Sequence, residues 1–510
     1  MKRRALLSVY DKTNIGKLAK NLISLDYEIV STGGTRKLLE SQGIAVTSVS
    51  DITGFPECLD GRVKTLHPKI HGGILAKRSD DTHMKTLEEL EMSTFDLVAV
   101  NLYPFKETYL DKNSKHKQKI ENIDIGGPTM IRSAAKNYED VIVLVDASDY
   151  DMVIEQMQSH GDVTANDRMK LALKAFETTS HYDTLIAKYF SEKLGSEQSL
   201  DTITLTFEKG EKLRYGENPH QSAYFYKEIS LENSKLSSAL RLHGKELSFN
   251  NINDATGAIE LIREFNEPTV VAVKHTNPCG VGTGKDIHEA YINAYNADPK
   301  SIFGGIIALN RDVDVDSARM INDIFIEIVI ATGYDDDALE LLKSKKNIRI
   351  LQMDLKKLKE NTLDIKKVDG GILVQDKNNS LYEELKIVTE RIPSDKELED
   401  LVFALKVVKH AKSNGIVIAK DKTTLSVGPG QSNRIWALEN AISQSIEPIK
   451  GSVMASDAFF PFTDCVEMAA KAGVTAIIHP GGSIKDSESI DMANKYGMAM
   501  VITGMRHFKH

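Results

Sequence analysis

The sequence predicts an α/β protein of two or three domains. Its 510 residues exceed what one hydrophobic core usually supports, and apolar runs of strand length alternate with helical patterns along the chain. A polar segment at residues 195–212, "GSEQSLDTITLTFEKGEK", has few large apolar residues and follows a long helical pattern. We therefore predict a first domain at 1–199 and a second region at 200–510.

The first domain begins with a β-α-β-α-β pattern. "ALLSV", "YEIVS" and "AVTSVS" read as strands, while "NIGKLAKNLISL" and "TRKLLESQ" read as amphipathic helices. The runs "FDLVAVNLY" and "DVIVLVD" supply further strands, with helical stretches between and after them. Such alternation favours a parallel sheet covered on both faces by helices.

The second region repeats this alternation. Its strand-like runs are "TVVAVKH", "GGIIALN", "EIVIAT", "IRILQM", "GIVIAK", "AIIHP" and "MAMVIT". A faint internal echo pairs "AVKHTNP" with "VVKHAKSN" at residues 407–414, which indicates either chance or a duplicated α/β unit.

Composition excludes several classes of protein. A formal net charge of -9 argues against a general nucleic-acid binder, although a local basic pocket could hold one phosphate. Asp11 and Lys12 interrupt the first apolar segment, so we predict no signal peptide, and no run is long enough to cross a membrane. The three cysteines form no Cys-x-x-Cys pair, which predicts a reducing, cytoplasmic location and no structural zinc.

Candidate anion-binding residues cluster in the first domain. In "EIVSTGGTRKLL" a strand runs into Gly33 and Gly34 and then a helix, whose exposed N–H groups would attract phosphate, although two glycines also serve merely to make a bend. "GRVKTLHPKIHGGIL" then supplies Arg62, Lys64 and Thr65, which suit an anionic ligand if the segment is more than an exposed basic loop.

Two further strand ends in this domain carry polar groups. "NLYPF" places Tyr103 just after a buried strand, and "IDIGGPTMIRSAAKN" contains Asp124, Gly126, Gly127 and Lys136. Each feature could be structural on its own. Four such strand ends in one domain indicate a ligand site at the carboxyl edge of a parallel sheet.

The second region contains an amine beside an imidazole. In "AVKHTNPCGVG" a buried strand ends at Lys274 and His275, which can address one site only where the strand loses its pleat, and we expect Pro278 and Gly280 to cause that loss. An imidazole can remove a proton from a nucleophile while an ammonium stabilises an oxyanion. The structural alternative is a core histidine beside a lysine that reaches the surface.

Other segments could contribute to the same pocket. They are "RYGENPHQ", "KSNGI", "GPGQSNR", "SDAFFPFTD" and "MRHFKH", which offer guanidinium groups, amides, aromatic rings and a carboxylate. A zinc deaminase is rejected, because Gly282 stands where the second cysteine of "Pro-Cys-x-x-Cys" should be and no His-x-Glu motif lies nearby upstream.

These motifs together resemble one enzyme family. "LLSVYDKTNI", "STGGT", "TGFPE", "GRVKTLHPKIHGGIL", "NLYPF", "IDIGGPTMIRSAAKN", "LRYGENPHQ", "VKHTNPCGVG", "SNGIV" and "SDAFFPF" occur in order along practically the whole chain. The sequence closely resembles the bifunctional AICAR transformylase/IMP cyclohydrolase family of purine biosynthesis. The resemblance implies a methylglyoxal-synthase-like first domain, followed by two zinc-free cytidine-deaminase-like α/β units, the second beginning near residue 380.

The resemblance implies the last two steps of IMP synthesis. The second region would transfer a formyl group from its cosubstrate, 10-formyltetrahydrofolate, to the amine of AICAR, and the first domain would close formyl-AICAR to IMP. His275 looks like the base, Lys274 like the cation that stabilises the oxyanion or helps release the folate nitrogen, and Asn414 like the orienting amide. The other substrate-binding positions implied for this region are Arg214, Tyr215, His220, Asn251, Gly304, Gln431, Arg434, Phe459, Phe460, Asp464 and Arg506.

Ring closure needs no covalent nucleophile. The carboxamide nitrogen attacks the formyl carbon of the same molecule and water leaves, so alignment and charge stabilisation supply the catalysis. By resemblance, the catalytic residues are Lys64, Tyr103, Asp124 and Lys136. The implied ribotide and phosphate ligands are Ser8, Lys12, Thr32, Gly33, Gly34, Thr35, Arg62, Thr65, Gly126 and Gly127.

Two alternatives and one departure stay open at this point. The first domain could act only as a phosphate-sensing regulatory module, or the whole chain could be a non-catalytic scaffold that binds neither AICAR nor folate. Asn433 replaces the serine that the family usually has before Arg434, which puts a local hydrogen bond in doubt. The resemblance also suggests a homodimer with shared transformylase sites and a structural potassium ion, with small-molecule substrates and no nucleic acid or membrane partner.

Overall fold

The computed structural model describes residues 2–195, 201–230, 234–356 and 363–510. The chain forms two compact units. The first extends to Phe207 and also includes Ile229, and the second contains the remainder from Glu208 to His510. The predicted domain boundary at residue 199 lies outside the described residues and stays a prediction.

The first unit is a five-stranded parallel sheet with helices around it. The sheet order is β3-β2-β1-β4-β5. Its strands are β1 (Arg3–Ser8), β2 (Tyr27–Ser31), β3 (Thr47–Ser48), β4 (Leu97–Val100) and β5 (Ile142–Leu144). Its helices are α1 (Ile15–Ser24), α2 (Gly33–Ser41), α3 (Val49–Thr53), α4 (Pro68–Leu75), α5 (Asp81–Glu89), α6 (Phe105–Leu110), α7 (His116–Glu121), α8 (Gly126–Lys136), α9 (Tyr150–His160) and α10 (Ala165–Leu194).

The central strands of this sheet are buried on both faces. Strands β4 and β5 consist wholly of buried apolar residues, as expected for a parallel sheet covered by helices. The predicted strand "AVTSVS" is the exception, because only two of its residues pair. Ser48 accepts a hydrogen bond from the Ser50 amide and starts α3, so a helix cap overrides the strand pattern.

The second unit contains a twelve-stranded mixed sheet. Its order is β16-β21-β20-β19-β17-β18-β10-β9-β11-β12-β13-β8. The strands in chain order are β6 (Phe207–Lys212), β7 (Tyr224–Glu228), β8 (Leu240–His243), β9 (Thr269–Lys274), β10 (Asn277–Thr283), β11 (Ile306–Leu309), β12 (Ile328–Ala331), β13 (Arg349–Gln352), β14 (Leu363–Val368), β15 (Gly371–Asp376), β16 (Lys386–Ile387), β17 (Ile416–Lys420), β18 (Thr423–Gly428), β19 (Val453–Ser456), β20 (Ala476–His479) and β21 (Ala499–Ile502).

The helices of the second unit alternate with these strands. They are α11 (Phe249–Ile262), α12 (Ile287–Ala297), α13 (Val315–Asp323), α14 (Asp336–Lys343), α15 (Asp395–Val408), α16 (Arg434–Gln444), α17 (Asp464–Ala472) and α18 (Asp486–Lys495). Helices α11 and α15 share one hydrophobic core, in which Phe265 contacts Phe403. The predicted α/β class, with parallel strands in both units, is confirmed.

The large sheet is an internal duplication. From its centre, β10-β9-β11-β12-β13-β8 on one side matches β18-β17-β19-β20-β21-β16 on the other. In both halves the strand nearest the edge is antiparallel, and the helices fall at the same places along the chain. At the centre of the sheet, β10 of one half pairs with β18 of the other, with Gly282 opposite Thr423. A cytidine-deaminase-like origin of each half stays a prediction.

The similar segments "AVKHTNP" and "VVKHAKSN" do not occupy equivalent positions in the two halves. Lys274 and His275 end a strand and enter a hairpin turn, whereas Lys409 and His410 follow helix α15. The structural counterpart of Lys274 is Lys420, at the end of β17. The repeated Lys-His pair is therefore chance, although the duplication it suggested is real.

Two smaller ribbons complete the second unit. Strands β14 and β15 pair only with each other among the described strands, as do β6 and β7. Within the described part of the chain, no helix combines the length and apolar character needed to cross a bilayer.

Candidate active sites

The first unit has a polar cavity of about 610 Å³ at the carboxyl edge of its parallel sheet. Strand ends β1, β2 and β4 and the starts of α2 and α8 surround it, as the sequence predicts for a ligand site. Among the predicted residues, it is lined by Ser8, Lys12, Thr32, Gly33, Gly34, Thr35, Arg62, Lys64, Thr65, Tyr103, Asp124, Gly126 and Gly127.

The start of helix α2 presents backbone N–H groups to this cavity. Gly33 adopts a left-handed conformation with φ 55°, which glycine accepts without strain and which turns the chain from strand into helix. The hydroxyl of Thr35 is buried, donates to the Val9 carbonyl at 2.9 Å and accepts from the Val9 amide at 3.1 Å. Thr35 therefore fixes this loop, and its hydroxyl is occupied by the protein.

A second helix, α8, also begins at the cavity. The Gly127 amide donates to Asp124 Oδ1 at 2.9 Å, and a β-carbon at Gly127 would lie only 2.4 Å from Asp124 Oδ2, so glycine is needed there. Burial raises the pKa of Asp124, and backbone N–H donors and the nearby Lys64 partly offset this. Two helix N-termini that face one cavity favour an anionic ligand there, and the binding of such a ligand stays a prediction.

Three cationic side chains line the cavity, and they differ in their exposure and in their partners. The ammonium of Lys64 lies 3.2 Å from Glu57 Oε1, and burial lowers the pKa of Lys12, whose ammonium donates to the carbonyls of Val9 and Tyr10. Arg62 is largely exposed and pairs with Glu121. The charge of Lys64 acts on the half-buried carboxylate of Asp124, while Arg62 lies at the exposed rim.

Lys136 is the predicted residue that does not line this cavity. It ends α8, ten residues beyond the helix start and thus roughly 15 Å away along the axis. It lines a different groove of about 820 Å³, together with apolar side chains such as Met169, Leu173 and Phe176. This groove is larger, but the smaller cavity brings the convergent polar groups together and is the better candidate.

In the second unit, Lys274 and His275 lie at a tight hairpin turn. The turn residues His275 and Thr276 have φ values of 52° and 63°, the left-handed geometry of a two-residue turn between β9 and β10. The pleat is therefore lost at these two residues. Pro278 and Gly280, which the sequence suggested as the cause, instead mark a register shift inside β10.

A carboxylate that the sequence analysis missed holds this turn. Asp254, on helix α11, accepts from the His275 amide at 3.1 Å and from the Thr276 amide at 2.9 Å. The His275 side chain is exposed, while the Lys274 ammonium donates to the Phe303 carbonyl at 2.8 Å beside Gly304. That both side chains address one substrate stays a prediction.

Asn414 belongs to a buried hydrogen-bond network. Its amide nitrogen donates to the Gln431 carbonyl at 2.8 Å, and its Oδ1 accepts from the Arg434 guanidinium at 2.6 Å. Arg434 is only 6% exposed and also pairs with Asp457 and donates to Ser456. The guanidinium of Arg434 thus binds protein groups and orients Asn414, and its predicted role as a substrate ligand stays a prediction.

Asn277 connects the two halves of this site. Its side-chain nitrogen donates to the His275 carbonyl at 3.3 Å, and its Oδ1 accepts from the Lys412 amide at 2.9 Å. Lys412 lies two residues before Asn414, so one carboxamide joins the lysine–histidine turn to the Asn414 loop. The sequence gives no signal for this bridge, because it depends on the meeting of two distant segments.

Several other predicted ligands have structural contacts. Asn251 is buried in the capping box of α11 and donates to Glu327 at 2.6 Å. Phe460 is fully buried against His479, so it does not present a face for stacking, and Phe459 beside it is half-buried. Asn433 caps α16 by accepting from the Ile435 amide, so this departure from the family keeps a capping side chain.

The remaining predicted residues lie on loops or at helix ends. The guanidinium of Arg214 lies over the ring of Tyr215, that of Arg506 lies over Phe508, and Gln431 is half-buried below Asn414. His220 and Asp464 are exposed. Their roles stay predictions. Among the described residues, no group of three or more His, Cys, Asp or Glu side chains is arranged to hold a metal ion.

These features define an α/β enzyme with a separate polar centre in each unit, the first suited to an anionic ligand. The family model described as AICARFT/IMPCHase bienzyme matches residues 134–444, and the MGS-like domain model matches residues 14–129. Proteins named "Bifunctional purine biosynthesis protein PurH" from Acetivibrio thermocellus, Ruminiclostridium cellulolyticum and Caldicellulosiruptor saccharolyticus are 60%, 58% and 56% identical, each over 100% of both chains. The chain belongs to the AICARFT/IMPCHase bienzyme family.

Proposed function

We propose that this chain catalyses the last two steps of IMP synthesis: formyl transfer from 10-formyltetrahydrofolate to AICAR, then dehydrative closure of formyl-AICAR. Full-length identity to the bifunctional relatives supports both activities in one chain. The observation that carries the proposal is the presence of two distinct centres, one at the N-termini of α2 and α8 and one at the Lys274–His275 turn.

Formyl transfer is assigned to the second unit. The AICAR amine attacks the formyl carbon, the bond from that carbon to the folate nitrogen breaks, and the nitrogen leaves protonated. His275 is exposed on its turn and is the base that takes the amine proton. Lys274 faces the developing oxyanion or the leaving nitrogen, and Asn414, held by Arg434, orients the reactants.

Ring closure is assigned to the first unit. The carboxamide nitrogen attacks the formyl carbon and gives up one proton. The formamido nitrogen gives up a second proton as its double bond to that carbon forms, and the formyl oxygen leaves with both protons as water. The helix N-termini bind the phosphate, and Lys64 and Asp124 lie where they can stabilise oxygen charge and move the protons. Tyr103 also lines this cavity. Lys136 ends α8, away from the cavity, so its position within one chain does not support a catalytic role.

A reciprocal set of substitutions tests the proposal. Lys274→Ala or His275→Ala should abolish formyl transfer and leave closure of supplied formyl-AICAR intact, and Lys64→Ala should do the reverse. Loss of both activities in every variant would refute the assignment of one reaction to each unit. Binding of formyl-AICAR without conversion would instead favour a first unit that only senses phosphate.

We also propose that the chain forms a homodimer in the cytosol. The β14–β15 ribbon exposes Leu373 by 59% and Leu363 by 46%, and an isolated two-stranded ribbon is marginally stable in water unless something packs on it. The three cysteines are unpaired, which suits a reducing compartment. Light scattering should give twice the monomer mass of 56.6 kDa, and Leu373→Lys should lower it.

A structural potassium ion is retained as a proposal from the family resemblance. Potassium binds backbone carbonyl oxygens, so a site for it need not contain a cluster of carboxylates or histidines. Replacing potassium by a bulky organic cation should lower the melting temperature of the second unit. An unchanged melting temperature would remove the proposal.

A further inference from the structure

The duplicated halves of the second unit contain the same turn twice. His275 and Thr276 connect β9 to β10, and Asp421 and Lys422 connect β17 to β18, all four with φ between 51° and 63°. Because side chains with a β-carbon are strained in this region, each turn needs contacts that hold it.

Each turn is held by the same residue on the same helix position. Asp254 is the sixth residue of the 14-residue α11 and binds the His275 and Thr276 amides. Asp400 is the sixth residue of the 14-residue α15 and binds the Asp421 and Lys422 amides at 2.9 and 2.7 Å. Burial raises the pKa of both carboxyls, and the backbone donors lower it.

The two turns differ in what they carry. The first presents an imidazole, and the second presents Asp421, which pairs with Lys396 on the helix that holds it. We propose that Asp254 is a positioning residue for formyl transfer: its carboxylate fixes the backbone of the turn and thereby the direction in which the His275 imidazole leaves it. This inference rests on the proposed function.

A second contact makes the position of the turn matter to the rest of the site. Asn277, the residue after the turn, joins the His275 carbonyl to the Lys412 amide in the Asn414 loop. If the turn relaxes to a less strained conformation, the imidazole moves relative to Asn414 as well as to Lys274. A displacement of this kind affects the reacting geometry more than substrate affinity.

The test compares D254N with D400N in the full-length chain. Each substitution replaces a carboxylate that accepts two amide hydrogens by a side chain that can accept only with its oxygen, so both turns are weakened in the same way. Only the first turn carries a proposed catalytic residue. D400N is therefore a matched control for loss of stability.

Formyl transfer is followed by the conversion of 10-formyltetrahydrofolate, with AICAR varied. We expect kcat of D254N to fall roughly tenfold to a hundredfold while its KM for AICAR stays within about threefold of the wild-type value. D400N should keep kcat within about twofold despite a similar loss of thermal stability. Hydrogen exchange should show faster exchange of the His275 and Thr276 amides in D254N alone.

The outcomes separate this inference from the proposed function. An active wild type with D254N at wild-type kcat, or with D254N and D400N equally impaired, would overturn the role of Asp254 alone. An inactive wild type would refute the proposed function and the inference with it. If D254N does not fold, D254E keeps the charge but displaces the carboxylate: a lowered kcat at an unchanged melting temperature supports the inference, and wild-type kcat overturns it.

Discussion

The buried ion pair between Glu264 and Lys409 gives a quantitative prediction about the second unit. Glu264 follows helix α11 and Lys409 follows helix α15, the equivalent helix of the other half, and their N–O distance is 2.7 Å. Their side chains are 10% and 3% exposed, and His410 also contacts Glu264. The pair therefore joins the two halves at the point where the Asn414 loop begins.

The magnitude follows from the carboxyl group. Burial opposes ionisation of Glu264, but the hydrogen bond from His410 and the charge of Lys409 outweigh it and lower its pKa from 4.5 to about 2. That difference is equivalent to about 3 kcal/mol, at the lower end of the roughly 3–5 kcal/mol lost when one partner of a buried pair is removed. We expect Glu264→Gln to lower the free energy of unfolding by about 3 kcal/mol at neutral pH.

The chain contains a natural reporter and a matched control for this measurement. Its one tryptophan, Trp436, lies on α16 in the second unit, so its fluorescence during urea unfolding follows that unit. Glu399→Gln removes an exposed pair with Lys422 and should lower the free energy of unfolding far less than Glu264→Gln does, because solvent screens exposed charges.

The pH dependence has a defined sign. A carboxyl whose pKa is lowered by folding stabilises the protein above its unfolded value, and this contribution is lost as pH falls through the folded value. The difference between wild type and Glu264→Gln should therefore be full above pH 4.5 and shrink as pH falls toward 2. A loss no larger than that of Glu399→Gln, or one independent of pH in this window, would refute the reasoning.

Three further predictions concern the two sites. Asp124→Asn should lower the kcat of ring closure by about a hundredfold and spare formyl transfer. Because burial raises the pKa of Asp124, the wild-type rate of ring closure should fall on the acid side at a pH above the ordinary 3.8. The pH profile of the variant should lack this acid limb. Gly33→Ala should weaken IMP binding about tenfold in calorimetry, since alanine is strained at φ 55°; unchanged affinity would exclude a role for this turn. Asn277→Asp keeps the acceptor for the Lys412 amide but loses the donor to His275, so kcat for formyl transfer should fall severalfold, whereas an equal fall in ring closure would contradict the bridge.

The sequence predicts the buried strands well and the hairpin partners poorly. Runs such as "TVVAVK" and "GIVIAK" are recognisable because both faces of the strand are covered by helices. Strand β10, "NPCGVGT", reads as a loop because it contains proline and two glycines. In the structure, a β-carbon at Gly282 would lie 2.5 Å from the Ala294 amide of α12, so glycine is there to let a helix approach.

The same close approach of a helix to a strand glycine occurs in the other half of the sheet. Gly428, at the same place in β18, would bring a β-carbon to 2.0 Å from the Ala437 carbonyl of α16. In both halves a helix packs against a strand so closely that no side chain fits. Local sequence cannot distinguish such a glycine from one in a turn, because the cause is a helix that follows later in the chain.

The residues of the candidate sites could likewise be predicted only in part from the sequence. Ser8, Thr32 and Tyr103 could be predicted because they end or follow strands, and parallel topology brings strand ends together. Lys64 and Asp124 also line the cavity, but they lie on segments between helices, so strand order alone does not place them. The protein groups that bind the Thr35 hydroxyl and the Arg434 guanidinium could not be predicted, because they lie on segments that are distant in sequence. Asp254 was missed for a related reason, since a helix carboxylate acquires its role only when a distant turn packs against it.

The contact of the Lys274 ammonium has a counterpart in the other half of the repeat. Its ammonium donates to the Phe303 carbonyl beside Gly304, and Lys420 in the other half donates to the Lys450 carbonyl beside Gly451, both glycines having φ between 74° and 79°. A contact present in both halves belongs to the fold and is no evidence for catalysis.

The proposed reaction also draws on features that the two halves do not share. At the turn these differences are His275 in place of Asp421 and Thr276 in place of Lys422, and Asn277 provides the bridge to Asn414. We expect AICAR binding to draw the Lys274 ammonium away from the Phe303 carbonyl and to leave the contact of Lys420 unchanged. A nuclear magnetic resonance shift of the Lys274 ammonium on AICAR binding, without one at Lys420, would demonstrate that difference directly.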